Sequence, residues 1–277
     1  VTAAFTITFS DDATPSLSDT MTVTITITGA NDAPSAGSDQ TGSVTEDAST
    51  TTATGTVSGT DADDSASLTY TPNTNSGTYG SIAFSGASWT YTLDNSDADT
   101  TALDANDQVT DTFTVTVSDS VASDTMDIVI TVTGANDAPS AGSDQTGSVV
   151  EDASTSTVTG TVSGTDADDS SSLTYTASNS GSGTYGSIAF SGAAWTYTLD
   201  NSDADTTALA AGASVSDAFT ITVSDGTASD TMSITIGITG ANDAPSFTTT
   251  GVTSATEDTA YSYTAAATDV DTGDSAT

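Results

Sequence analysis

The chain has 277 residues, carries no Lys, Arg, His or Cys, and holds 38 acids for a formal net charge of −38. With no cation it has nothing to neutralise phosphate or an anionic bilayer surface, so nucleic-acid binding and polybasic membrane contact are excluded. Without His or Cys there is no Ser-His-Asp or Cys-His nucleophile, no redox dithiol and no thiolate or imidazole metal site, which leaves carboxylate chemistry and oxygen ligation.

The string Gly-Ala-Asn-Asp-Ala-Pro begins at Gly29, Gly134 and Gly240, so successive units are 105 and 106 residues long. From Thr78 to Leu103 and from Thr184 to Leu209 the two copies differ only at Ser88 against Ala194. Taken in chain order, residues 1–29 are read as the last two strands, F and G, of a preceding truncated repeat, and 30–35 as a linker. A complete β-sandwich repeat follows at 36–134, then a linker at 135–140, a second complete repeat at 141–240 and a linker at 241–246. Residues 247–277 are read as the first strands of a further repeat, and the chain as a window on a longer array. No apolar run is long enough to span a bilayer, so no membrane insertion is expected of this segment.

An apolar fraction of 35 % with this much acid is a composition that ordinarily favours disorder. The pattern argues for order, because Thr or Ser alternates with Val, Ile, Phe or Met at the period of half-buried strands. In the first complete repeat seven strands are predicted: A Gln40 to Glu46, B Thr52 to Ser58, C Ser67 to Thr71, D Tyr79 to Phe84, E Ser88 to Leu93, F Thr110 to Ser118 and G Asp124 to Thr133. In strand F, Phe113, Val115 and Val117 take one face and Thr112, Thr114 and Thr116 the other. The Ser85-Gly86-Ala87 turn makes a hairpin that sets Phe84 beside Trp89. Tyr79, Phe84, Trp89 and Tyr91 are read as core and hairpin packing, and Asp94 to Ala105 as a loop with one helical turn. The fold class is all-β: tandem immunoglobulin- or cadherin-like, seven-stranded Greek-key β-sandwiches in an elongated array.

Only three acids are Glu, and Glu46, Glu151 and Glu257 occupy the same place in each unit, each followed by Asp. A solvated acidic face would mix Asp with Glu, so the longer, potentially bidentate side chain has a geometric task. The second recurring element is Asp61-Ala62-Asp63-Asp64, Asp166-Ala167-Asp168-Asp169, and Asp269-Val270-Asp271. Alternate acids in one turn repel each other unless a hard cation joins them, and Ca²⁺ with six to eight oxygen ligands suits irregular geometry better than Mg²⁺. An EF-hand is not supported, since its twelve-residue loop ending in Glu is missing. Residues 30–134 hold 16 acids and residues 135–240 hold 13, so each repeat repels itself. Salt screens that only partly at a Debye length of about 8 Å. No disulfide or Lys–Asn isopeptide bond is available, which leaves bound cations as the staple.

The runs Val57 to Asp63, Thr114 to Asp119, Gly134 to Pro139 and the aromatic stretch Gly86 to Asn95 resemble cadherin-like domains, and more closely the bacterial VCBS-type repeats of large secreted adhesins. The resemblance covers essentially the whole chain and implies β-sandwiches strung end to end with Ca²⁺ between neighbouring repeats. It places ligands at Glu46, Asn136, Asp137, Asp166, Asp168 and Asp225 for the junction between the complete repeats. It places Glu151, Asn242, Asp243, Asp269 and Asp271 at the next junction, and Asn31, Asp32, Asp61, Asp63 and Asp119 at the preceding one. This sequence departs from the cadherin Asp-Arg-Glu element, since Asp104 has no counterpart at Ala210.

The function these features imply is a Ca²⁺-rigidified spacer or fibre segment of a long, secreted cell-surface protein. Its partners are the neighbouring repeats of the same chain, with assembly of identical chains into filaments as a related reading. The alternative is a ligand-binding or homophilic module that meets a glycan, ice or another cell through Thr rows such as Thr22, Thr24, Thr26 and Thr28. The surface ligand is not legible. No enzyme is expected, because the acids sit in repeated turns and not in an aromatic-lined cleft.

Overall fold

The computed structural model describes residues 1–63, 67–168 and 173–275. Asp64 and Asp169 of the acid-rich turns lie outside the described residues. The chain divides into two compact units, Val1–Thr100 with Gln108–Thr133, and Thr101–Asp107 with Gly134–Thr277.

Unit 1 opens with an antiparallel hairpin of β1 (Thr2–Ser10) and β2 (Ser18–Thr26), in which Phe5 faces Val23 and Ile7 faces Met21. Its apolar residues Phe5, Ile7, Phe9, Met21 and Ile25 are exposed. The complete repeat follows as β3 (Ser35–Ala36), β4 (Gln40–Thr45), β5 (Thr52–Thr56), β6 (Gly59–Thr60), β7 (Thr69–Pro72), β8 (Gly80–Ser85), β9 (Ser88–Leu93), β10 (Gln108–Ser118) and β11 (Ser123–Thr133). One sheet has the order β4-β11-β10-β7 and the other β5-β9-β8. The first strand β4 runs parallel to the last, β11, from Gln40 beside Ile128 to Thr45 beside Thr133, and the other pairings within the two sheets are antiparallel.

The strict alternation of β10 and β11 explains the core. Phe113, Val115 and Val117 from β10 and Met126, Ile128, Ile130 and Val132 from β11 are buried, and they meet Trp89, Tyr91 and Leu93 of β9 and Ile82 of β8. The rings of Tyr91 and Phe113 lie 6.0 Å apart across the two sheets at 58°, a tilted contact that satisfies the ring quadrupoles. Trp89 fits only because Gly55 opposite it has no side chain, since a Cβ there would stand 2.5 Å from the indole ring.

All seven predicted strands of this repeat are present, with ends shifted by up to two residues. One pairing was not legible: Ser35 and Ala36 pair with Thr60 and Gly59. The predicted strand B is thereby broken at Val57, whose N–H donates to the Ala87 carbonyl and ends the β5 ladder. Two-residue strands carry too little periodicity to be read.

Unit 2 repeats the arrangement with β12 (Ser140–Ala141), β13 (Gln145–Val150), β14 (Thr157–Thr161), β15 (Gly164–Thr165), β16 (Thr174–Ala177), β17 (Gly186–Ser191), β18 (Ala194–Leu199), β19 (Ser214–Ser224) and β20 (Ser229–Thr239). Its sheets are β13-β20-β19-β16 and β14-β18-β17. The helical turn expected between strands E and F is present here as α1 (Ala204–Thr207), capped by Asp203, whose side chain accepts from Asp205 N–H. The final segment departs from expectation. Among the described residues only β21 (Ser246–Phe247) and β22 (Ala267–Thr268) form, and Glu257, Tyr261 and Tyr263 lie in exposed, irregular chain. In the complete repeats the equivalent strand draws its hydrogen bonds from a long parallel partner such as β11 or β20, and residues 247–275 supply no such strand.

In each complete repeat an acid stands in the inward register of the long hairpin. Asp111 on β10 is only 3 % exposed. It accepts hydrogen bonds from Thr78 N–H (2.7 Å), Tyr79 N–H (3.1 Å) and Tyr91 Oη (2.7 Å). A Cβ at Gly77 would collide with its carboxylate. Asp217 is held identically by Thr184, Tyr185 and Tyr197. The latch pins the loop before β8 to β10, and burial beside the carboxylate drives the Tyr91 phenol far above its ordinary pKa.

Two substitutions test this packing. Tyr91→Phe removes one donor from a buried carboxylate and is expected to destabilise the first repeat by about 1–3 kcal/mol in urea unfolding. Gly55→Ala forces the Trp89 indole out of place and should cost about 1–3 kcal/mol in the same assay.

Candidate cation-binding clusters

The three Glu residues share one local device. Glu46 and Glu151 leave the end of β4 and β13 with their N–H groups bonded to the carbonyls of Thr133 and Thr239. The following residues Asp47, Asp152 and Asp258 take positive φ of 52°, 52° and 61°. Asp tolerates this left-handed region better than most side chains, which accounts for the repeated Glu-Asp pair. Ala48, Ala153 and Thr259 close the turns by bonding back to Thr45, Val150 and Thr256. Glu46 and Glu151 are each only 2 % exposed, whereas Glu257 is exposed.

Within unit 2, Glu151 belongs to a cluster at the Asn242-Asp243 linker. Its Oε2 accepts from Ala241 N–H at 3.0 Å. Asp243 N–H donates to Asp271 Oδ2 (3.1 Å), Asp271 N–H to Asp269 Oδ1 (3.1 Å), and the Asn242 amide to the Asp243 carbonyl (2.8 Å). No hydrogen-bond donor reaches Glu151 Oε1, Asp243 Oδ2 or Asp271 Oδ1, and Asp271 is only 3 % exposed. Burial pushes the Glu151 carboxyl above the usual range, and the charges of Asp243, Asp152 and Asp271 push it further. Asp243 is raised by burial and then by Asp152, Asp271 and Asp269.

A second cluster of the same unit surrounds the Asn136-Asp137 linker. The Asn136 amide donates to Asp225 Oδ2 (3.0 Å) and to the Asp137 carbonyl. Asp137 N–H donates to Asp168 Oδ2 (2.8 Å), and Asp168 N–H to Asp166 Oδ1 (3.0 Å). Asp166 Oδ2 and Asp168 Oδ1 receive no hydrogen bond. The Asp168 carboxyl is raised by burial and then by Asp166, Asp104 and Asp225. Asp225, by contrast, is held below the usual range by the N–H groups of Ala228 and Thr227 and by Asn136.

Unit 1 carries the equivalent group. The Asn31 amide reaches Asp119 Oδ2 (3.0 Å), Asp32 N–H reaches Asp63 Oδ2 (2.8 Å), and Asp63 N–H reaches Asp61 Oδ1 (2.7 Å). Each linker named from the sequence thus gathers its Asp-x-Asp turn by direct hydrogen bonds. Two further acids join the clusters that sequence reading did not place there. Asp152 follows Glu151 in the tight turn, and its fixed position after every Glu was the available signal. Asp104 adds its charge beside Asp168, and its signal was its place in the resemblance to the Asp-Arg-Glu element, which the second copy fills with Ala210.

Among the described residues, no three acids are already drawn close enough together to enclose an ion. The donor set is nonetheless all oxygen and partly desolvated, several of its oxygens receive no hydrogen bond, and the chain has no Lys, Arg or His to pair with them. Such a set fits a hard divalent cation with a large, flexible coordination number.

Residues 31–134 and 136–240 each match the profile of the bacterial cadherin-like domain. The chain belongs to that family. These cadherin-like repeats share their fold with the protocadherin gamma B2 ectodomain, extracellular domains 1–5, at 18 % identity and a TM-score of 0.56, covering 98 % of this chain and 52 % of that one. The PcdhgB3 EC1-4 structure gives 17 % identity, a TM-score of 0.51 and coverage of 87 % and 57 %. The chain therefore spans little more than half of these ectodomain structures. No curated protein matches it in sequence. Cadherin-like domains are extracellular modules of adhesive or structural type and not an enzyme family. Among the described residues, no helix is long and apolar enough to cross a membrane.

The raised Glu151 pKa has a definite sign. The folded chain binds that proton more tightly than the unfolded chain, so the charged form costs stability at neutral pH and the cost fades as pH falls through the raised pKa. In EDTA at pH 7, Glu151→Gln is expected to raise the melting temperature of the cadherin-like repeat that bears it, and the gain should vanish below the ordinary carboxylate range. A calorimetric pH series on wild type and variant reads both limbs.

Proposed function

We propose that this chain is a Ca²⁺-stiffened spacer or fibre segment of a secreted cell-surface protein. The observation that carries the reading is Glu151: a carboxylate 2 % exposed, with an oxygen that receives no hydrogen bond, facing Asp243 and Asp271 in a chain without one cation. The ligands would be Asn31, Asp32, Asp61, Asp63 and Asp119 at the first linker. At the second they would be Glu46, Asn136, Asp137, Asp166, Asp168 and Asp225, and at the third Glu151, Asn242, Asp243, Asp269 and Asp271. Bound Ca²⁺ supplies positive charge to oxygens that otherwise repel, and it does no chemistry on a substrate. The side chains hold the Asp-x-Asp turns against the linker by the N–H donations described above. Sequence boundaries at 36–134 and 141–240 for the two complete sandwiches belong to this reading, as do the partial repeats that flank them.

Ions that bind only the folded arrangement stabilise it by mass action, about 2.7 kcal/mol per site at a free concentration of 100 Kd. Saturating Ca²⁺ is therefore expected to raise the calorimetric melting temperature of the chain and to extend and stiffen it in small-angle scattering, both reversed by EDTA. Asp271→Asn should abolish the response of the third linker while leaving the first intact. A chain equally flexible and equally stable with and without millimolar Ca²⁺ would overturn the reading.

The second reading is adhesion through hydroxyl-rich faces, and one observation favours it. In the β1–β2 hairpin Thr2, Thr6 and Thr8 stand directly opposite Thr26, Thr22 and Thr20, an exposed two-column Thr array. A glycan array and an ice-affinity assay discriminate: retention that survives EDTA supports the Thr face, and none dismisses it. Lateral contact between identical chains is a further form of the same idea, and sedimentation in Ca²⁺ would report it.

A further inference from the structure

A buried acid interrupts the apolar phase of each long hairpin, and its surroundings are the same in both repeats. Asp111 and Asp217 are each 3 % exposed. Asp111 accepts from Thr78 N–H, Tyr79 N–H and Tyr91 Oη at 2.7, 3.1 and 2.7 Å, and Asp217 from Thr184 N–H, Tyr185 N–H and Tyr197 Oη at 2.7, 3.1 and 2.8 Å. A Cβ at Gly77 or Gly183 would stand 2.2 or 2.3 Å from a carboxylate oxygen, so only glycine lets the loop come this close. The loop leading into the contact differs in length. Thr176 to Tyr185 has one residue more than Thr71 to Tyr79, and the turn Ser178–Gly181, with φ of 51° at Asn179 and 53° at Ser180, takes it up. The loop adjusts and the three bonds to the acid do not.

The apolar contacts leave one coordinate open, the position of the hairpin along the opposite sheet. Its own turn fixes β10 against β11, with Val121 and Ala122 N–H both bonded to Asp119 Oδ1. Along the hairpin every buried position other than 111 is apolar, and so are Ile82, Trp89 and Leu93 opposite. Apolar burial is non-directional, and moving a strand by two residues returns the same alternation to the same face. A hairpin displaced by two residues would therefore still turn an apolar face to the core. Position 111 alone objects. The displacement carries its carboxylate about 7 Å from Tyr91 and the two N–H groups, and leaves a buried charge among apolar side chains without a donor.

We infer that Asp111 and Asp217 set the register between the two sheets of their sandwiches, selecting one of several alignments that the apolar pattern allows, a role separate from any contribution to stability. Fixing register is the best attested use of a single buried polar group. The register matters beyond the core. Asp119 directly follows β10 and its Oδ2 accepts from the Asn31 amide at 3.0 Å, as Asp225 Oδ2 does from Asn136 at 3.0 Å. A displaced hairpin would carry these acids about 7 Å along the strand axis and break their contact with the linker. The buried acid thus ties the arrangement of each linker to the interior of the repeat that follows it, and no bound ion is needed for this.

The test is made by NMR on the full 277-residue chain, uniformly labelled with ¹⁵N and ¹³C, with the second repeat as internal reference. Asp111→Val combined with Tyr91→Phe removes the carboxylate together with the hydroxyl it faces and makes the inward phase of β10 continuous. The expected result is a folded first repeat with a second set of β10 amide signals at about a tenth of the intensity of the first. The contact between the ring at position 91 and Phe113, 6.0 Å apart in the wild type, is lost in that fraction, while β19 gives one set. Asp111→Asn keeps a polar group of the same shape and is expected to lower the melting temperature but retain one set. A single set of β10 signals in the double variant, with the Phe113 contact intact, overturns the inference. A first repeat that unfolds in the double variant overturns it as well, because the acid then supplies stability and not a choice among folded alignments.

Discussion

Negative charge without an internal counter-ion is the constraint on which everything else in this protein depends. Each carboxylate must be satisfied by a backbone N–H, by a hydroxyl, by water or by something the chain does not contain. The acids sort along those lines. Asp119, Asp124, Asp225 and Asp230 are capped by backbone N–H groups and held below their ordinary pKa, and Asp94 and Asp200 are held down by Ser96 and Ser202. Asp111 and Asp217 are buried but fully engaged with two N–H groups and a phenol. Glu151, Asp168 and Asp243 form the remaining class, raised by burial and by one another. Among the described residues, the acids so raised lie at or beside the Asn136-Asp137 and Asn242-Asp243 linkers.

The sandwich tolerates this burden because its charge and its core are segregated by the strand period. Apolar residues occupy the inward phase of the β10–β11 and β19–β20 hairpins, and Thr, Ser and Asp the outward phase. Asp111 and Asp217 break that phase on purpose. Each stands in the inward register of its strand, and each fastens the loop that precedes the D strand across to the opposite sheet. The acids at the linkers belong to neither sheet face. They lie in turns just beyond the ladders, where hydrogen bonds to the backbone fix their position without drawing them into the core.

Sequence reading recovers the seven-strand order of the first complete repeat, the core phase of β10 and the Phe84–Trp89 hairpin because each rests on a period or a turn signal. The Asn-Asp and Asp-x-Asp pairs recur at fixed offsets in the sequence, and the fold brings each pair within hydrogen-bond reach. It misses Asp111, although the signal was present: counting back from Phe113 by two puts an acid on the apolar phase. It marks Asp104 only through the resemblance to the Asp-Arg-Glu element, and the fold brings the 104–107 turn under Gly134. Among described residues 247–275, the strands present are the end of β21 and β22. In the complete repeats the equivalent strands pair along a long parallel partner.

The parallel pairing of β4 with β11 has a mechanical consequence. The chain joins the four-stranded sheet at the start of β4 and leaves it at the end of β11, and between Gln40–Ile128 and Thr45–Thr133 the two strands run side by side in the same direction. Tension applied along the chain therefore pulls the strands past each other lengthwise. The hydrogen bonds of that ladder are loaded together in shear, whereas the antiparallel ends of a hairpin would open one bond at a time like a zipper. The second repeat places β13 and β20 in the same relation, so the resistance of each module to stretching is set by the ladder that joins its first strand to its last.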